Sequence, residues 1–304
     1  MLGIASAKIA ADGTFPEENY ELTTLLDRAL TRFDDVVLIS YEHLALEAIS
    51  GRVIRIRSRL RDLTEELCAL IARGTGSHGD AAHALAVAAE SNGIVLLDSA
   101  SRFAGSSPGK TISTLLRHRS GVGMPSALVF GPPDVDEIMR LVASWPRVIV
   151  KPIRGSQGRG IEVFDDHARL VRHLQETSVS STEPLLLQEL RPIAEEWRVM
   201  LLWGQEIGVA AKIIEPGVLT ANAATGATFV APTDSVDEVR EFAKSNAPTQ
   251  GLVGMDVARD ETGELFVIEA NFSPNWQTFD GALGVDTAQV IVDALAQRVT
   301  QLRR

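Results

Sequence analysis

The sequence predicts a mixed α/β and α+β fold, with a parallel sheet in the amino-terminal lobe and antiparallel sheets in the rest of the chain. Between residues 20 and 98, helical and strand-like patterns alternate, which is typical of a parallel sheet covered by helices. From residue 148 onwards, strand-like runs follow one another through short turns, which is typical of antiparallel sheets. The composition, with 45% hydrophobic and 23% charged residues, is that of a globular protein with a sizeable core.

The elements of the amino-terminal lobe follow from apolar spacing. Apolar residues from 22 to 33 have helical spacing, and the run 36–39 predicts a short buried strand. The other elements predicted in this lobe are helices near 59–73 and 80–91 and a strand at 94–97. A stretch rich in serine, glycine and proline, 99–109, then marks the first boundary between lobes.

The rest of the chain begins with a helix predicted from about 110 to 119 and a strand near 126–130. Asp134 and Glu137 have the spacing of a capping box, which predicts the start of another helix. The remaining predicted helices are near 166–175 and 286–302. The remaining predicted strands are 148–153, 161–164, 185–190, 197–203, 207–214, 255–258 and 265–271.

Charge and cysteine content narrow the function classes. The net charge of -11 argues against a broad nucleic-acid surface, because such surfaces neutralise phosphates with lysine and arginine. No basic stretch precedes a long apolar run near the start, and no uncharged window approaches the roughly 18 residues of a membrane span. We therefore expect a cytoplasmic protein without nucleic-acid or membrane partners. Cys68, the single cysteine, is expected to be a buried structural thiol on the apolar stripe of the 59–73 helix.

A candidate metal site lies in the strand-like run 265–271. Side chains alternate faces along a strand, so Glu269 and Asn271 project from the same face. Asp256 can meet them if its own predicted strand pairs with this one through the turn 260–264. Two carboxylates and an amide are oxygen ligands that suit Mg²⁺ held jointly with nucleotide phosphates.

The alternative for this strand is that Glu269 faces solvent at a sheet edge. Against it, Leu265 and Val267 are expected on the face of Glu269, while Phe266 and Ile268 fill the other face. Both faces of the strand would then be covered, and a covered carboxylate needs a partner.

A candidate phosphate loop follows the predicted strand at 148–153. Lys151 lies within this apolar run, where its charge costs desolvation unless it meets an anion. The loop that follows, 155–160, contains three glycines, which allow backbone N–H groups to approach an anion closely. A plain glycine-rich turn is the alternative interpretation.

A second candidate nucleotide site lies at 104–111, which ends in Gly109, Lys110 and Thr111 and resembles the end of a P-loop. However, Ala104 occupies the position of the first P-loop glycine, and the preceding strand lies about six residues away instead of directly before it. Lys110 at a helix start is unfavourable against the helix dipole, which indicates that it too serves an anion.

Together, these stretches resemble the ATP-grasp superfamily and, within it, the RimK-like carboxylate-amine ligases, over residues 105–280. In that family a lysine precedes the central domain, a strand lysine precedes a Gly-Ser-Gln-Gly loop, the backbone of an interdomain hinge reads adenine, and an acidic residue before x-Arg binds the ribose. The nucleotide-binding residues implied here are Lys110, Lys151, Gly155, Ser156, Gln157, Gly158, Gln188, Glu189, Leu190, Glu196 and Asn222. The metal ligands implied are Asp256, Glu269 and Asn271.

Two positions depart from the family pattern. Glu196 stands where RimK itself has aspartate, and Thr220 stands where many relatives have an arginine two residues before Asn222. Lys212 is a candidate substitute for that arginine. We expect two catalytic residues to offset developing charge, Lys212 and Arg198, the arginine of the acidic-x-Arg triplet.

The resemblance implies three lobes, of which the second and third enclose the nucleotide: an amino-terminal α/β domain at 1–104, a central ATP-grasp subdomain at 105–184 and a carboxyl-terminal subdomain at 185–304. It implies ATP and two Mg²⁺ ions, with Mn²⁺ as an alternative, and a reaction in which a carboxylate becomes an acyl phosphate that an amine attacks. Small-molecule carboxylates and amines, or a peptide, are the implied substrates, and a homo-oligomer would be ordinary for the family.

Three hypotheses from different classes remain open on these residues. The first is the ligase, with a graspetide-type enzyme that modifies ribosomal peptides as a variant. The second is a P-loop kinase centred on Lys110 and Thr111. The third is a regulatory module that binds a nucleotide without chemistry.

Overall fold

The computed structural model describes residues 1–48, 53–97, 114–115, 123–131, 134–153, 160–177, 179–180, 184–213 and 228–302. Its amino-terminal lobe is built on a four-stranded parallel sheet, as the sequence predicts. The strands are β1 (Leu2–Ser6), β2 (Val36–Ile39), β6 (Ala69–Arg73) and β7 (Val95–Leu97), in the order β2-β1-β6-β7. Two helices connect them, α1 (Tyr20–Leu30) and α2 (Gly79–Ser91).

A small antiparallel sheet stands between β2 and β6, and it corrects one prediction. The sheet contains β3 (Leu44–Ala48), β4 (Ile54–Ser58) and β5 (Arg61–Asp62). The helix predicted near 59–73 is therefore wrong. Leu60 is 94% exposed in the turn between β4 and β5, whereas Leu63 and Leu67 are buried. A turn, a loop and a buried strand of the parallel sheet together imitate helical spacing, because a strand covered on both faces lacks alternation.

Cys68 lies just before β6 and not on a helix. The thiol is half-buried and donates to the Met1 carbonyl oxygen at 3.3 Å. The expected helical apolar stripe around Cys68 therefore does not form. The contact of its thiol with Met1 agrees with a structural role.

The central sheet is antiparallel and has helices on one face. Its strands are β8 (Ser126–Val129), β9 (Val148–Pro152), β10 (Glu162–Phe164) and β11 (Leu185–Glu189), in the order β10-β9-β11-β8. Helices α3 (Val135–Val142) and α4 (His167–Glu176) pack on the face that carries Val148 and Val150. Asp134 caps α3 by accepting from the Glu137 N–H, as the capping-box spacing predicts.

The third sheet has five antiparallel strands and carries the candidate metal residues. They are β12 (Ile193–Leu202), β13 (Gln205–Ile213), β14 (Thr228–Val230), β15 (Leu252–Asp260) and β16 (Leu265–Asn271), in the order β14-β13-β12-β15-β16. Helix α5 (Asp237–Asn246) covers one face. Helices α6 (Gln277–Leu283) and α7 (Thr287–Leu302) close the described chain. The sequence analysis did not predict α5 or α6.

A shared core joins the third sheet to the amino-terminal lobe. Ile4 and Leu25 of the amino-terminal lobe pack in the same apolar cluster as Met200 and Leu252 of the third sheet. Ion pairs between α1 and α7 add to this contact, with Arg32 2.5 Å from Asp293. Strand β11 pairs with β9 and therefore belongs to the central sheet, although it begins after residue 184. The lobe boundaries at 104 and 184 stay predictions. Within the described residues, no helix is long and apolar enough to cross a membrane.

Candidate active site

The hairpin of β15 and β16 brings the predicted metal residues together. The two strands pair antiparallel, with Asp256 opposite Glu269 and Gly254 opposite Asn271. The prediction that these strands pair through the turn 260–264 is therefore confirmed. Opposite residues of a pair point to the same face, so the Asp256 and Glu269 carboxylates lie side by side on the sheet.

The hairpin also contains a β-bulge that the sequence pattern did not predict. The register shifts between Asp256 and Val257, so that Val257 pairs with Val267 and Ile268 is the extra residue. Because neighbouring strand residues point to opposite faces, Val267 lies with Val257 in the core under α5, whereas Glu269 lies on the other face. The expectation that Val267 shares a face with Glu269 is wrong.

Five charged residues form a row across four strands of the third sheet. Lys212 lies on β13, Glu196 and Arg198 on β12, Asp256 on β15 and Glu269 on β16. Arg198 pairs with Asp256 in the strand register, as Asp256 does with Glu269. Four of these side chains are buried and Glu269 is half-buried. We call these five residues the polar ladder.

Asp256 is the centre of the polar ladder and is only 2% exposed. The Arg198 guanidinium binds it through two hydrogen bonds, from Nε to Oδ1 at 2.6 Å and from Nη2 to Oδ2 at 3.0 Å. Lys212 Nζ also lies 3.0 Å from Oδ2 and donates in addition to Glu196 Oε1. One carboxylate therefore orients both candidate catalytic cations, which the sequence analysis did not foresee.

Burial and charge act against each other in the ladder. Burial raises the pKa of Asp256, but the positive charges of Arg198 and Lys212 outweigh it, and the net pKa lies below its usual range. For Arg198, burial lowers the pKa, and the Asp256 charge more than compensates. For Glu196, burial prevails over the Lys212 charge and raises the pKa to about 7.

The Glu196 pKa predicts how stability changes with pH. Its folded-state pKa of about 7 exceeds the ordinary value of 4.5, so the folded protein holds this proton more tightly. The free energy of unfolding should therefore fall as pH rises from 4.5 through about 7, because the unfolded state releases the proton first. Glu196→Gln should lack that fall. Urea unfolding below pH 4.5 and above pH 7 measures it, and an unchanged difference between the two pH values in the variant would contradict the assignment.

The lone pairs that remain on Asp256 and its neighbours show whether these residues could coordinate a Mg²⁺ ion. An ionised carboxylate offers about four lone-pair sites, and three described donors use three of them, leaving one on Oδ1. The Asn271 Oδ1 accepts from the Ser273 N–H at 3.0 Å and keeps a second lone pair. Glu269 is half-buried on the same face. Among the described residues, no group of three His, Cys, Asp or Glu side chains could hold a metal ion. The candidate Mg²⁺ ligands are therefore two carboxylates, Asp256 and Glu269, and one amide, Asn271.

Lys151 lies on the face of the central sheet that the helices leave uncovered. Its Nζ donates to Gln188 Oε1 at 2.8 Å, and Gln188 Nε2 donates to Ser126 Oγ at 3.0 Å. Ser126 Oγ in turn donates to the Met124 carbonyl oxygen at 2.7 Å. Gln188 is buried, so this chain of hydrogen bonds fixes the lysine on the sheet. Ser126 was missed by the sequence analysis, because only the pairing of β8 with β11 brings it to Gln188.

The predicted hinge follows at the end of β11. The Glu189 N–H donates to the Pro125 carbonyl oxygen and the Leu190 N–H to that of Arg147, each at 2.9 Å. Protein carbonyl groups thus engage both predicted adenine-reading N–H groups in this structure. The hinge and Lys151 belong to the central sheet and the polar ladder to the third sheet, so the described site residues form two clusters on two sheets.

Several predicted residues lie outside the described part of the chain. They are Lys110, Gly155, Ser156, Gln157, Gly158 and Asn222. The P-loop-like segment 104–111 and most of the predicted helix at 110–119 also lie outside it. Their roles stay predictions.

The loop after β16 packs onto the ladder and was also missed. A Cβ at Gly254 would lie 2.9 Å from Pro274 Cβ and 3.2 Å from Arg198 Cδ, so glycine is needed for this close approach. Arg73, at the end of β6, donates to the Pro274 carbonyl oxygen at 2.9 Å and stacks on Trp276 with its Cζ 4.2 Å from the ring centroid. The one local signal for this contact was Gly254, a glycine directly before the predicted strand 255–258.

Comparison with known proteins places the geometry in a family context. Residues 122–274, half of the chain, match the family model described as prokaryotic glutathione synthetase, ATP-grasp domain. A probable alpha-L-glutamate ligase of Aeromonas salmonicida is 28% identical over 61% of this chain and 63% of its own length. The chain thus spans less than two thirds of the length of this curated relative.

Two solved structures share the fold over almost the whole chain. The ATP-grasp ligase PsnB, complexed with minimal precursor, Mg and ADP, is 18% identical with a TM-score of 0.67 and covers 98% of this chain and 96% of its own. D-alanine–D-alanine ligase from Bacillus anthracis, complexed with ATP, is 14% identical with a TM-score of 0.62 and covers 100% of this chain and 99% of its own. The predicted fold class is confirmed. By the match of half its length, the chain belongs to the family of the prokaryotic glutathione synthetase ATP-grasp domain.

Proposed function

We propose that the protein is an ATP-dependent carboxylate-amine ligase that forms an amide through an acyl phosphate and releases ADP and phosphate. The observation that carries this proposal is the polar ladder on the third sheet. It combines two cations with three carboxylates, and its oxygen ligands at Asp256 and Glu269, which lie opposite each other on β15 and β16, are the kind that Mg²⁺ prefers. The ladder lies within the matched ATP-grasp region, and the name of the Aeromonas relative, a ligase, agrees with this chemistry.

In this proposal each cluster has one task. Asp256, Glu269 and Asn271 hold Mg²⁺, and the family resemblance implies two ions. A metal ion held there would supply positive charge that offsets the charge on the nucleotide phosphates. Arg198 and Lys212, both oriented by Asp256, offset the charge that develops on the transferred phosphoryl group.

The nucleotide contacts are assigned to the other cluster and to residues outside the described part. Glu196 receives the ribose hydroxyls, and Lys151, fixed by Gln188, binds a phosphate. The hinge at 188–190 is assigned the adenine by family resemblance, with its Glu189 and Leu190 N–H groups engaged by protein carbonyl groups in this structure. Lys110, the loop at 155–158 and Asn222 complete the set by family resemblance.

Phosphate release from ATP tests the proposed reaction. The protein is incubated with ATP, Mg²⁺ and panels of carboxylates and amines, with hydroxylamine as a trap for the acyl phosphate. We expect phosphate release that requires one carboxylate, and a hydroxamate of that carboxylate when hydroxylamine replaces the amine. Turnover with a substrate pair but without any hydroxamate would overturn the acyl-phosphate step. Binding of ATP without turnover on any panel would favour a regulatory module.

Lys151→Ala is expected to weaken ATP binding by about ten- to a hundredfold, which corresponds to the loss of one charge-assisted hydrogen bond to phosphate. Calorimetric titration with ATP and Mg²⁺ measures the change. Lys244→Ala on α5 is the matched control, because its partners are Glu206 on β13 and Glu241 on α5 itself, and neither belongs to the central sheet that carries Lys151. Equal affinities of the two variants would contradict the phosphate role.

The substrate class within this proposal is a peptide or an amino acid. PsnB was also solved with a precursor peptide, which supports a peptide-modifying ligase of graspetide type as a variant of this proposal. That variant predicts tight binding of a leader peptide, and a free-amino-acid ligase predicts none. A cytoplasmic location and a homo-oligomer are part of the same proposal.

The P-loop kinase hypothesis makes the opposite mutational prediction. It expects Lys110→Ala to abolish activity while Glu269→Ala and Asn271→Ala are tolerated. The family match supports the ligase.

A further inference from the structure

The chain crosses from the central sheet to the third sheet through a single short connection. β11 ends at Glu189 and β12 begins at Ile193, so three residues, 190–192, separate the strands. Arg191 is the middle one, and its side chain is 26% exposed. No motif of the family resemblance includes this arginine, and the proposed mechanism gives it no role.

Arg191 contacts both sides of this crossing. Its Nε lies 3.4 Å from Glu189 Oε2, on the hinge. Its Nη1 lies 3.4 Å from Glu264 Oε2 and 3.8 Å from Asp260 Oδ2, in the turn between β15 and β16. Its Cζ lies 5.6 Å from the centroid of the Phe266 ring, on β16. One guanidinium therefore reaches the hinge and the hairpin that carries the candidate metal ligands.

The far side of this contact is rigid. Asp260 Oδ1 accepts from Thr262 Oγ1 at 2.6 Å, from the Thr262 N–H at 2.9 Å and from the Glu264 N–H at 3.0 Å. Gly263 adopts φ +91°, a left-handed conformation that glycine permits. The turn thus presents the Asp260 carboxylate to Arg191 in a fixed arrangement, and the more exposed Glu264 carboxylate lies beside it.

An apolar contact runs beside the arginine. Met124, just before β8, packs against Ala258 and Phe266, and Ile193 joins the same cluster. Gly123 forms an isolated bridge with Val267. The central sheet therefore rests on the β15–β16 hairpin at two places, through apolar side chains and through Arg191.

We propose that Arg191 is a positioning residue that holds the adenine-binding hinge in register with the metal-binding hairpin. This inference rests on the proposed function, since it assumes that one nucleotide spans the hinge and the metal. A guanidinium can bind carboxylates in its plane and stack its face on an aromatic ring at the same time, which a lysine ammonium cannot do. Arg191 acts through Glu189, Asp260 and Glu264 and does not itself touch the nucleotide.

Two ligands separate positioning from general electrostatics. ADP with Mg²⁺ spans the hinge and the metal site, whereas inorganic tripolyphosphate with Mg²⁺ has no base and meets only the phosphate and metal side. For Arg191→Gln we expect an increase in the dissociation constant of ADP of about five- to tenfold, as for the loss of a small network of partly exposed ion pairs. The affinity for tripolyphosphate should stay within about twofold, because this ligand has no base to meet the hinge. Arg191→Lys should recover less than half of the lost ADP affinity on a logarithmic scale.

The chain offers a matched control on the same sheet. Arg259 is 24% exposed, lies near Glu195 and Glu238, and has its Cζ 5.7 Å from the Trp197 ring centroid. Arg259→Gln removes the same kinds of contact away from the hinge, together with one hydrogen bond from Arg259 Nη1 to the Gly263 carbonyl oxygen at 3.1 Å, and should leave both affinities unchanged. Thermal unfolding of each variant shows whether both fold equally well, and Glu264→Gln against Glu238→Gln repeats the comparison with milder changes.

The outcomes are distinct. Weaker ADP binding in Arg191→Gln, with unchanged tripolyphosphate binding and an inert Arg259→Gln, supports the proposal. Equal weakening of both ligands, or equal effects of the two arginine variants, overturns the role of Arg191 alone. Failure of the unmodified protein to bind ADP with Mg²⁺ overturns the proposed function, and the inference with it.

Discussion

Glu269→Gln is expected to lower magnesium-dependent ATP cleavage by about a thousandfold while the protein stays folded, because losing an anionic ligand removes several kcal/mol of metal-dependent stabilisation. Glu269 lies opposite Asp256, on the same face of the β15–β16 hairpin, and is half-buried. The ion pairs in the buried centre of the ladder join Arg198 and Lys212 to Asp256 and Glu196, and the substitution leaves these four residues in place. Glutamine keeps the shape of the side chain and removes only its charge.

Phosphate release at increasing Mg²⁺ concentration measures this effect, with circular dichroism and thermal unfolding as checks on folding. Glu261→Gln is the matched control, since Glu261 is an exposed carboxylate in the turn of the same hairpin. We expect the control to retain full activity. Cleavage by Glu269→Gln at the rate of the control would remove Glu269 from the metal site and would favour the kinase hypothesis.

Asp256→Asn is expected to reduce the free energy of unfolding by about 3 kcal/mol or more, as for the removal of one partner from a buried ion pair. The change leaves Arg198 and Lys212 buried with one carboxylate fewer to balance them. The asparagine amide also presents N–H groups toward a cation that already donates. Urea unfolding measures the loss, and ATP cleavage should disappear with it, because both candidate catalytic cations lose their orientation.

Asp293→Asn supplies the comparison for this prediction. It removes the pair between Asp293 and Arg32, in which both side chains are 40% or more exposed. Such exposed pairs contribute about 0–1 kcal/mol, so the control should unfold almost like the unmodified protein. A loss in Asp256→Asn no larger than in Asp293→Asn would mean that the ladder cations find other partners when Asp256 is neutral. Adding Lys212→Met to Asp256→Asn should recover part of the stability, because it removes one of the two buried cations that Asp256 balances.

The sequence was informative where chemistry is carried by short local patterns. The strand 265–271 has the same bounds in the structure, and its neighbour pairs with it as the turn between them indicates. Capping at Asp134 and the parallel class of the amino-terminal sheet were also predictable, since both depend on residues a few positions apart or on apolar runs. Strand β1 was not predicted, and β6 lies within the helix wrongly predicted at 59–73. The candidate metal trio follows from the same local logic.

The pattern misled where a local period had more than one origin. Leu60, Leu63 and Leu67 have helical spacing, yet they belong to a turn and a loop between two sheets. The bulge at Ile268 reversed the faces assigned to Val267 and Glu269, because a bulge shifts strand register without a required sequence signal.

The sequence alone determined the order of most helices and strands, the residue types that can bind phosphate and metal, and the family. Outside the β15–β16 hairpin, only the tertiary structure decided which of those residues meet. Arg198 and Asp256 are 58 positions apart and Lys151 and Gln188 are 37 apart, and each pair is joined by the choice of neighbouring strand. Arg191 reaches Glu264, 73 positions away, for the same reason. Strand order and register result from burying the whole set of apolar faces at once, which a local window of sequence does not contain.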